Sequence, residues 1–562
     1  MKTRDITKRF FFVSLILIVI AKLLIGLTQN VFLTPYTAPI DDMLMFNAAN
    51  SITQGQWLGQ YNWLTLSKYY FFAIWLAMLN ILHIPYLLGG QILWLCTVAV
   101  CTIAFSPILK KYIFKLLFFA VLLFNPAQMA AEVELRVYRD NIFPALCLIC
   151  ISGFIGAALR CKKPFSQYIG FLLVAAVGLA TACTTREDGI WLLPLAIGAC
   201  ITIIIFVCIT KGLAHKALRI ISLAVPYAAV GCLVLVFCCI NYNYYGRFVF
   251  SDYTSKEFKD AYGAMSRVKH EDWEMQIVVP KDVRTKLYDN VPELKILEPI
   301  LEHEWFYARY GHKRECEFGT GGFHWALREA AYDAGIYSSA NNAAQYWRTV
   351  ADKINELCDN GTLEAGPRRS STTPPIRSEY ILPTIKEGFS NLWRVLTFKE
   401  AEPAFKIMSF VDIPDYDSFI YFLRNTPNNV AMENTDLPYF SPSQRLANTA
   451  LTALSYIYAI LLPLMFVCAI IWQILATVQI FKRKSKLDPI FYILMLGVLL
   501  CILLRAFMIA FMFVASFNKN IVHIMYLSSI HPLAIIYSVL GSGMLVYNFI
   551  HRKARKKGET IG

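Results

Sequence analysis

The sequence predicts an all-α polytopic membrane protein with about ten transmembrane helices and a mainly helical extracytoplasmic domain. Three observations lead there. The 562 residues are 57% hydrophobic and only 16% charged, with a mean hydropathy of +0.47, more apolar than a soluble protein of this length. Apolar runs of about 20 residues, the length that crosses a bilayer, lie near 10–28, 86–108, 112–128, 141–159, 167–184, 190–210, 219–241, 448–478, 488–516 and 521–549. The basic residues fall in short clusters between these runs, so the formal charge of +14 encodes topology rather than nucleic-acid binding.

Each element follows from these runs. The N-terminal segment begins with Lys2, Arg4, Lys8 and Arg9, and no small-residue cleavage site follows its apolar run. It reads as a retained first helix rather than a signal peptide. With ten crossings, the clusters Lys110/Lys111/Lys115, Arg160/Lys162/Lys163, Lys211/Lys216/Arg219, Lys482/Arg483/Lys484/Lys486 and Arg552/Lys553/Arg555/Lys556/Lys557 all share the N-terminal cluster's side. By the positive-inside rule that side is the cytoplasm, and both termini lie there. Counting 69–84 as an eleventh crossing would invert every later loop, so it is expected as a re-entrant or interfacial helix. Reading 86–108 as the non-crossing segment satisfies the same parity.

The chain thus divides into an N-terminal membrane module, 1–241, an extracytoplasmic domain, 242–447, and a C-terminal membrane module, 448–562. Within the domain, the segments at 302–315, 323–335 and 343–361 carry helical periodicity, the last stopping at Asn360-Gly361, and 366–375 is a loop. Most of the fifteen cysteines lie in apolar runs, where they act as small hydrophobes. Cys316 and Cys358 lie in the polar domain, and a disulfide between them is open.

Four polar elements gather on the extracytoplasmic face: the loop 29–68, the loop 130–140, the short turn 184–189 and the domain itself. In the first, Asp41 and Asp42 follow Pro39. Aspartates there can cap a helix start, or one can deprotonate an acceptor hydroxyl at the membrane surface. Neighbours on a helix diverge by about 100 degrees, so only one faces a substrate. Lys68 precedes the apolar stretch as a snorkelling lysine or as a contact to a phosphate leaving group. Arg505, inside CILLRAFMIAF, costs roughly 2.5 to 3.5 kcal/mol unpaired in a membrane, so it faces the protein interior or a lipid phosphate. Lys22 reaches the outer interface by snorkelling.

Arg136, Arg139 and Asp140 form a surface ion network, or the two arginines contact a substrate. Arg186, Glu187 and Asp188 are held close to the bilayer by their short loop. Trp57, Tyr61 and Trp63 suit an interfacial aromatic belt or a face for stacking on a sugar. His523 and His531 read as interfacial or core residues. No Asp-x-Asp or His-rich pattern supports a metal.

The run Asp41-Asp42-x-Leu44, then Gly55-Gln56-Trp57-Leu58-Gly59-x-Tyr61-Asn62, then Thr65-Leu66-x-Lys68 resembles the first external loop of GT-C class membrane glycosyltransferases. That class includes the protein O-mannosyltransferases and the lipid A aminoarabinose transferase. The resemblance implies a GT-C-like fold and transfer of a sugar from a polyprenyl-phosphate donor to a glycan, lipid or protein acceptor, with inversion. It implies Asp41 or Asp42 as base and a site on the extracytoplasmic face of a bacterial inner membrane. Lys68 and Arg505 are the expected phosphate contacts. Trp57, Tyr61, Arg136, Arg139, Arg186, Glu187 and Asp188 are the expected substrate contacts. The insertion at 242–447 departs from the family plan of a C-terminal soluble domain and leaves the acceptor open. Two other readings stand beside it: a lipid-linked saccharide flippase, which would distribute charges through the depth of several helices, and a non-catalytic scaffold whose domain binds a partner.

Overall fold

The computed structural model describes residues 2–35, 38–271, 274–411, 413–428, 439–482, 488–516 and 522–557. Among them the chain is helical, with isolated bridges in place of strands. The first half supplies α1 (Lys2–Leu27), α2 (Leu44–Thr53), α3 (Phe71–Ile81), α4 (Tyr86–Ala104), α5 (Tyr112–Leu123), α6 (Phe143–Leu159), α7 (Phe165–Thr185), α8 (Leu193–Ile209) and α9 (Val225–Tyr245). The polar region contributes α10 (Lys256–Arg267), α11 (Thr320–Asp333), α12 (Ala340–Asp359) and α13 (Ile381–Thr397). The chain closes with α14 (Pro442–Phe481), α15 (Pro489–Ala515) and α16 (His531–Lys557).

Nine helices among the described residues are long and apolar enough to cross a membrane, which makes this an integral membrane protein of helical type. α6 is apolar on every side and almost wholly buried, as expected of a central helix. It packs against α7 through small residues. A Cβ added at Gly153 would lie 2.3 Å from the Ala175 nitrogen, and one at Gly178 would lie 2.3 Å from the Cys150 nitrogen. Backbones that close gain the van der Waals contact that holds helices together in lipid.

Hydrogen bonds fix which loops share an end of the bundle. At one end, Arg160 donates to the carbonyls of Ala104 (2.9 Å) and Ile103 (2.7 Å) at the close of α4. Arg219 donates to those of Cys161 (3.2 Å) and Lys163 (2.8 Å). Arg160 satisfies carbonyls left over at the C-terminus of α4, Arg219 those of the turn between α6 and α7, and the described basic clusters of α4–α9 lie at this end. At the other end, Tyr86 opens α4 and its hydroxyl donates to the Arg136 carbonyl at 2.6 Å. α4 therefore runs the full depth, which removes 86–108 as the non-crossing segment.

α3 instead keeps both ends at the Arg136 end. The Tyr69 N–H just before it donates to Glu187 at 3.2 Å, and Asn80 near its close donates to the Phe422 carbonyl at 3.0 Å. Its 11 residues span about 16 Å, half the roughly 30 Å of a bilayer core. The expected crossing at 112–128 also differs in detail. α5 starts beside the beginning of α1, where Tyr112 and Phe11 have ring centres 5.1 Å apart, and stops at Leu123, level with Trp94 in mid-α4 (3.1 Å). Pro126 lacks an N–H, and Asn125 caps the next turn by accepting from Ala127 at 3.1 Å. A 3-10 turn, Pro126–Met129, and the short helix Ala131–Glu134 complete the passage to the other end.

The polar region between α9 and α14 divides between two cores. Residues from Phe258 to Leu363, with Trp63 of the first loop, form one. Val395, Leu396, Phe398, Phe419 and Leu423 join the core of the membrane bundle. α13 lies along α15, with Asn391 donating to the Ala506 carbonyl at 3.1 Å. The expected helices at 302–315, 323–335 and 343–361 are present as Glu304–Tyr310, α11 and α12. Cys316 and Cys358 are both free thiols.

Candidate functional site

Pro39 starts a single turn, Pro39–Met43, in which neither aspartate caps the helix. Their carboxylates diverge, as adjacent helical positions must. Asp42 is buried against Arg136, which grips it with Nη2 to Oδ1 at 2.8 Å and Nε to Oδ2 at 3.0 Å. Thr34 adds a hydroxyl at 3.3 Å. Asp41 meets the Lys68 ammonium directly and accepts from the Tyr138 hydroxyl at 2.7 Å. That hydroxyl in turn accepts from Lys68 at 3.0 Å and from Arg139 at 2.8 Å. The Asp41 side chain is 34% exposed and that of Asp42 only 4%, so Asp41 is the carboxylate within reach of a substrate.

Burial alone would raise the Asp41 carboxyl, but the Lys68 ammonium, with Arg136 and Tyr138, outweighs it and holds the group below the usual carboxylate range. Burial also holds the Tyr138 phenol well above its ordinary value, so it remains a donor to Asp41.

The network continues through the loops that the sequence singled out. Arg139 pairs with Glu187 at 2.8 Å. Arg186 pairs with Asp140 and, at 3.1 Å, with Asp188. Arg505 reaches the same Asp188 at 2.6 Å and the Tyr526 carbonyl at 3.2 Å. Met525 ties the strands together, its sulfur meeting Arg136 at 3.3 Å and its carbonyl meeting Arg186 at 3.1 Å. Five cations, Lys68, Arg136, Arg139, Arg186 and Arg505, thus face six carboxylates, Asp41, Asp42, Glu132, Asp140, Glu187 and Asp188. Charges at this depth persist only when paired. An incoming anion must therefore displace a carboxylate, and Asp41 and Glu187, 34% and 31% exposed, are the two most open to solvent.

Nine of the eleven residues expected at the site are brought together. Trp57 and Tyr61 are not. The Gly55–Gly59 turn places Gly55, Trp57 and Gly59 in the left-handed region, where glycine is at ease and tryptophan is not. Trp57 is held there by its Nε1 donating to Asn241 at 2.8 Å, and its indole is buried. Tyr61 donates to Asp252 at 2.6 Å. Both dock the first loop onto α9 and the polar region. Arg505 is fully buried and braces Asp188. Lys22 pairs with Glu134 at 3.0 Å inside the bundle instead of snorkelling outward. His531 is buried in the core, and His523 contacts Glu387 at 3.1 Å.

Tyr138 and Glu132 were missed as participants although they lie in the ELRVYRD segment or beside it, whereas Asp140 was expected in an ion network and is paired with Arg186. A tyrosine flanked by two arginines was the available signal. Met525 and Tyr526 act partly through carbonyls, which leave no mark in a sequence. Among the described residues no three His, Cys, Asp or Glu side chains are grouped to hold a metal ion.

Beside this network lies a groove of about 630 Å³ within the apolar depth of α6, α8 and α15, lined by Phe154, Pro194, Gly198, Thr202, Gly497 and Cys501. Cys501 is one helical turn from Arg505. Comparisons with family models, with curated proteins and with solved structures found no match to this chain.

Proposed function

We propose that this chain is an inverting membrane glycosyltransferase that moves a sugar from a polyprenyl-phosphate donor to an extracytoplasmic glycan, lipid or protein acceptor. The observation that carries the reading is the Asp41–Lys68–Tyr138 contact. It joins a partly exposed carboxylate to a cation that a phosphate can claim, at the polar end of an apolar bundle.

The donor phosphate takes Lys68 from Asp41 and Arg139 from Glu187, the two pairs whose carboxylates are free to swing aside. Asp41, without its counter-charge, becomes more basic and accepts the proton of the acceptor hydroxyl. That oxygen bonds to the anomeric carbon as the carbon–oxygen bond to phosphate breaks. The electron pair leaves on the phosphate, where Lys68 and Arg139 neutralise the charge that develops. The groove beside α15 suits the isoprenoid tail, since it is apolar and opens among membrane-depth residues.

The test is incubation of purified protein with radiolabelled polyprenyl-phosphate sugars and an envelope extract. Label should leave the lipid with wild-type protein and stay on it with Asp41→Asn. Label remaining on every donor offered would contradict the reading.

A further inference from the structure

Among the described residues of the first loop, Trp57 and Tyr61 are committed to packing and Trp63 is buried. The polar region brings a second set of rings to the network. His324 and Trp325, adjacent on α11, and Tyr253 stand over the Lys68 end of the network. The Trp325 ring centre is 5.7 Å from the Lys68 ammonium. Tyr253 lies nearly parallel to Trp325, with centres 5.7 Å apart and planes 12° apart, and 5.0 Å from the His324 ring.

These three rings are half-buried, whereas the neighbouring Phe258, Tyr262, Phe323 and Trp347 are buried in the core of the polar region. No ion pair of the network uses them. Burial holds His324 down to about 3, so it is a neutral ring that stacks and accepts rather than a further cation. Its Nδ1 lies 3.3 Å from the Thr320 carbonyl. Thr372 lies close enough to Tyr253 to influence its phenol, which brings the 366–375 loop to the rim of the shelf. An aromatic face beside convergent hydroxyls and a carboxylate suits a ligand that is flat and apolar on one side and hydroxylated at its edge. A pyranose ring has that form: its C–H face packs on the electron-rich ring face while its hydroxyls point outward.

We propose that Trp325, Tyr253 and His324 form an acceptor subsite for a saccharide ring, which stacks on them and turns one hydroxyl toward Asp41. This rests on the glycosyltransferase reading for the role of the bound sugar, but not for the binding itself.

The experiment is saturation-transfer NMR on the full chain in a zwitterionic, sugar-free detergent. The probes are mannotriose, tri-N-acetylglucosamine and a threonine-containing pentapeptide. At least one trisaccharide should receive saturation on its ring C–H protons. Trp325→Ala should raise its Kd at least about tenfold, a loss the size of one good stacking contact, and Trp325→Phe should restore most of the affinity. A melting curve confirms that each variant folds, and Tyr253→Leu replaces Trp325→Ala if that variant does not. The proposal is overturned if neither trisaccharide binds, if only the peptide binds, or if the folded shelf variants bind as wild type does.

Loss of label from the donor, measured with the envelope extract as acceptor, separates the two claims. Trisaccharide binding with no loss of label from any donor sinks the glycosyltransferase reading and leaves the subsite. Loss of label with saccharide binding indifferent to the shelf variants does the reverse.

Discussion

Asp42 and Asp41 are neighbours with opposite duties, and the stability of Asp42 variants exposes the difference. Asp42 is 4% exposed and bound by two nitrogens of Arg136, itself 14% exposed. Removing one partner of a buried pair typically costs about 3 to 5 kcal/mol, because the other charge is left without compensation. Glu132 still lies 3.4 Å from Arg136 and offsets part of that loss, so Asp42→Ala should fall near the lower end, about 3 kcal/mol. The double variant Asp42→Ala/Arg136→Ala should recover part of the loss, since no stranded guanidinium remains. The assay is unfolding of the purified protein in detergent, followed by tryptophan fluorescence. Single and double variants unfolding like wild type would refute the reasoning, and so would a double variant that loses the sum of both single effects.

Three further outcomes follow from the same geometry. The folded-state value of Asp41 lies below its unfolded value of about 3.9, so its ionised form stabilises the fold above that pH, and the contribution is lost only as pH falls through the lowered value. The wild-type kcat/KM profile should therefore show no acid limb from Asp41 above about pH 4. Lys68→Met leaves burial as the dominant influence and should bring such a limb into view; identical profiles would exclude the pairing. In the bundle, Gly178→Ala forces a Cβ to within 2.3 Å of backbone and should cost about 1 to 3 kcal/mol, whereas Gly170→Ala meets open space and should be neutral or slightly stabilising in the same unfolding assay. Finally, in intact cells with the other accessible thiols replaced, an impermeant maleimide should label Ser370→Cys and spare Lys162→Cys; labelling of 162 alone would invert the orientation.

Where apolar length and charge pattern dominate the physics, the sequence was a sufficient guide. The interfacial reading of 69–84 rested on charge parity, and α3 does keep both ends at one end of the bundle. The separation of Asp41 from Asp42 followed from helical geometry. The run at 112–128 was visibly short, but the stop at Leu123 was hidden because Asn125 and Pro126 lie inside an apolar run, and hydropathy does not register a lost hydrogen-bond donor. Trp57 and Tyr61 were expected at a ligand because an exposed loop aromatic and a docked one have the same local pattern. Only the partners, Asn241 and Asp252, 184 and 191 residues away in sequence, distinguish them. Arg505 was recognised as paired or phosphate-bound, but the choice of Asp188 depends on how α7, α8 and α15 meet.

The most direct test of the account is single-turnover transfer from a radiolabelled polyprenyl-phosphate sugar by Asp41→Asn, with Asp42→Asn measured beside it. Asparagine keeps the size of the side chain and its hydrogen bond to Tyr138 but does not take up a proton at neutral pH. Loss of a general base typically costs 10² to 10⁴ in rate. The account predicts that Asp41→Asn folds as wild type does and transfers at least about a hundredfold more slowly, while Asp42→Asn loses mainly stability. Wild-type transfer by folded Asp41→Asn would contradict it.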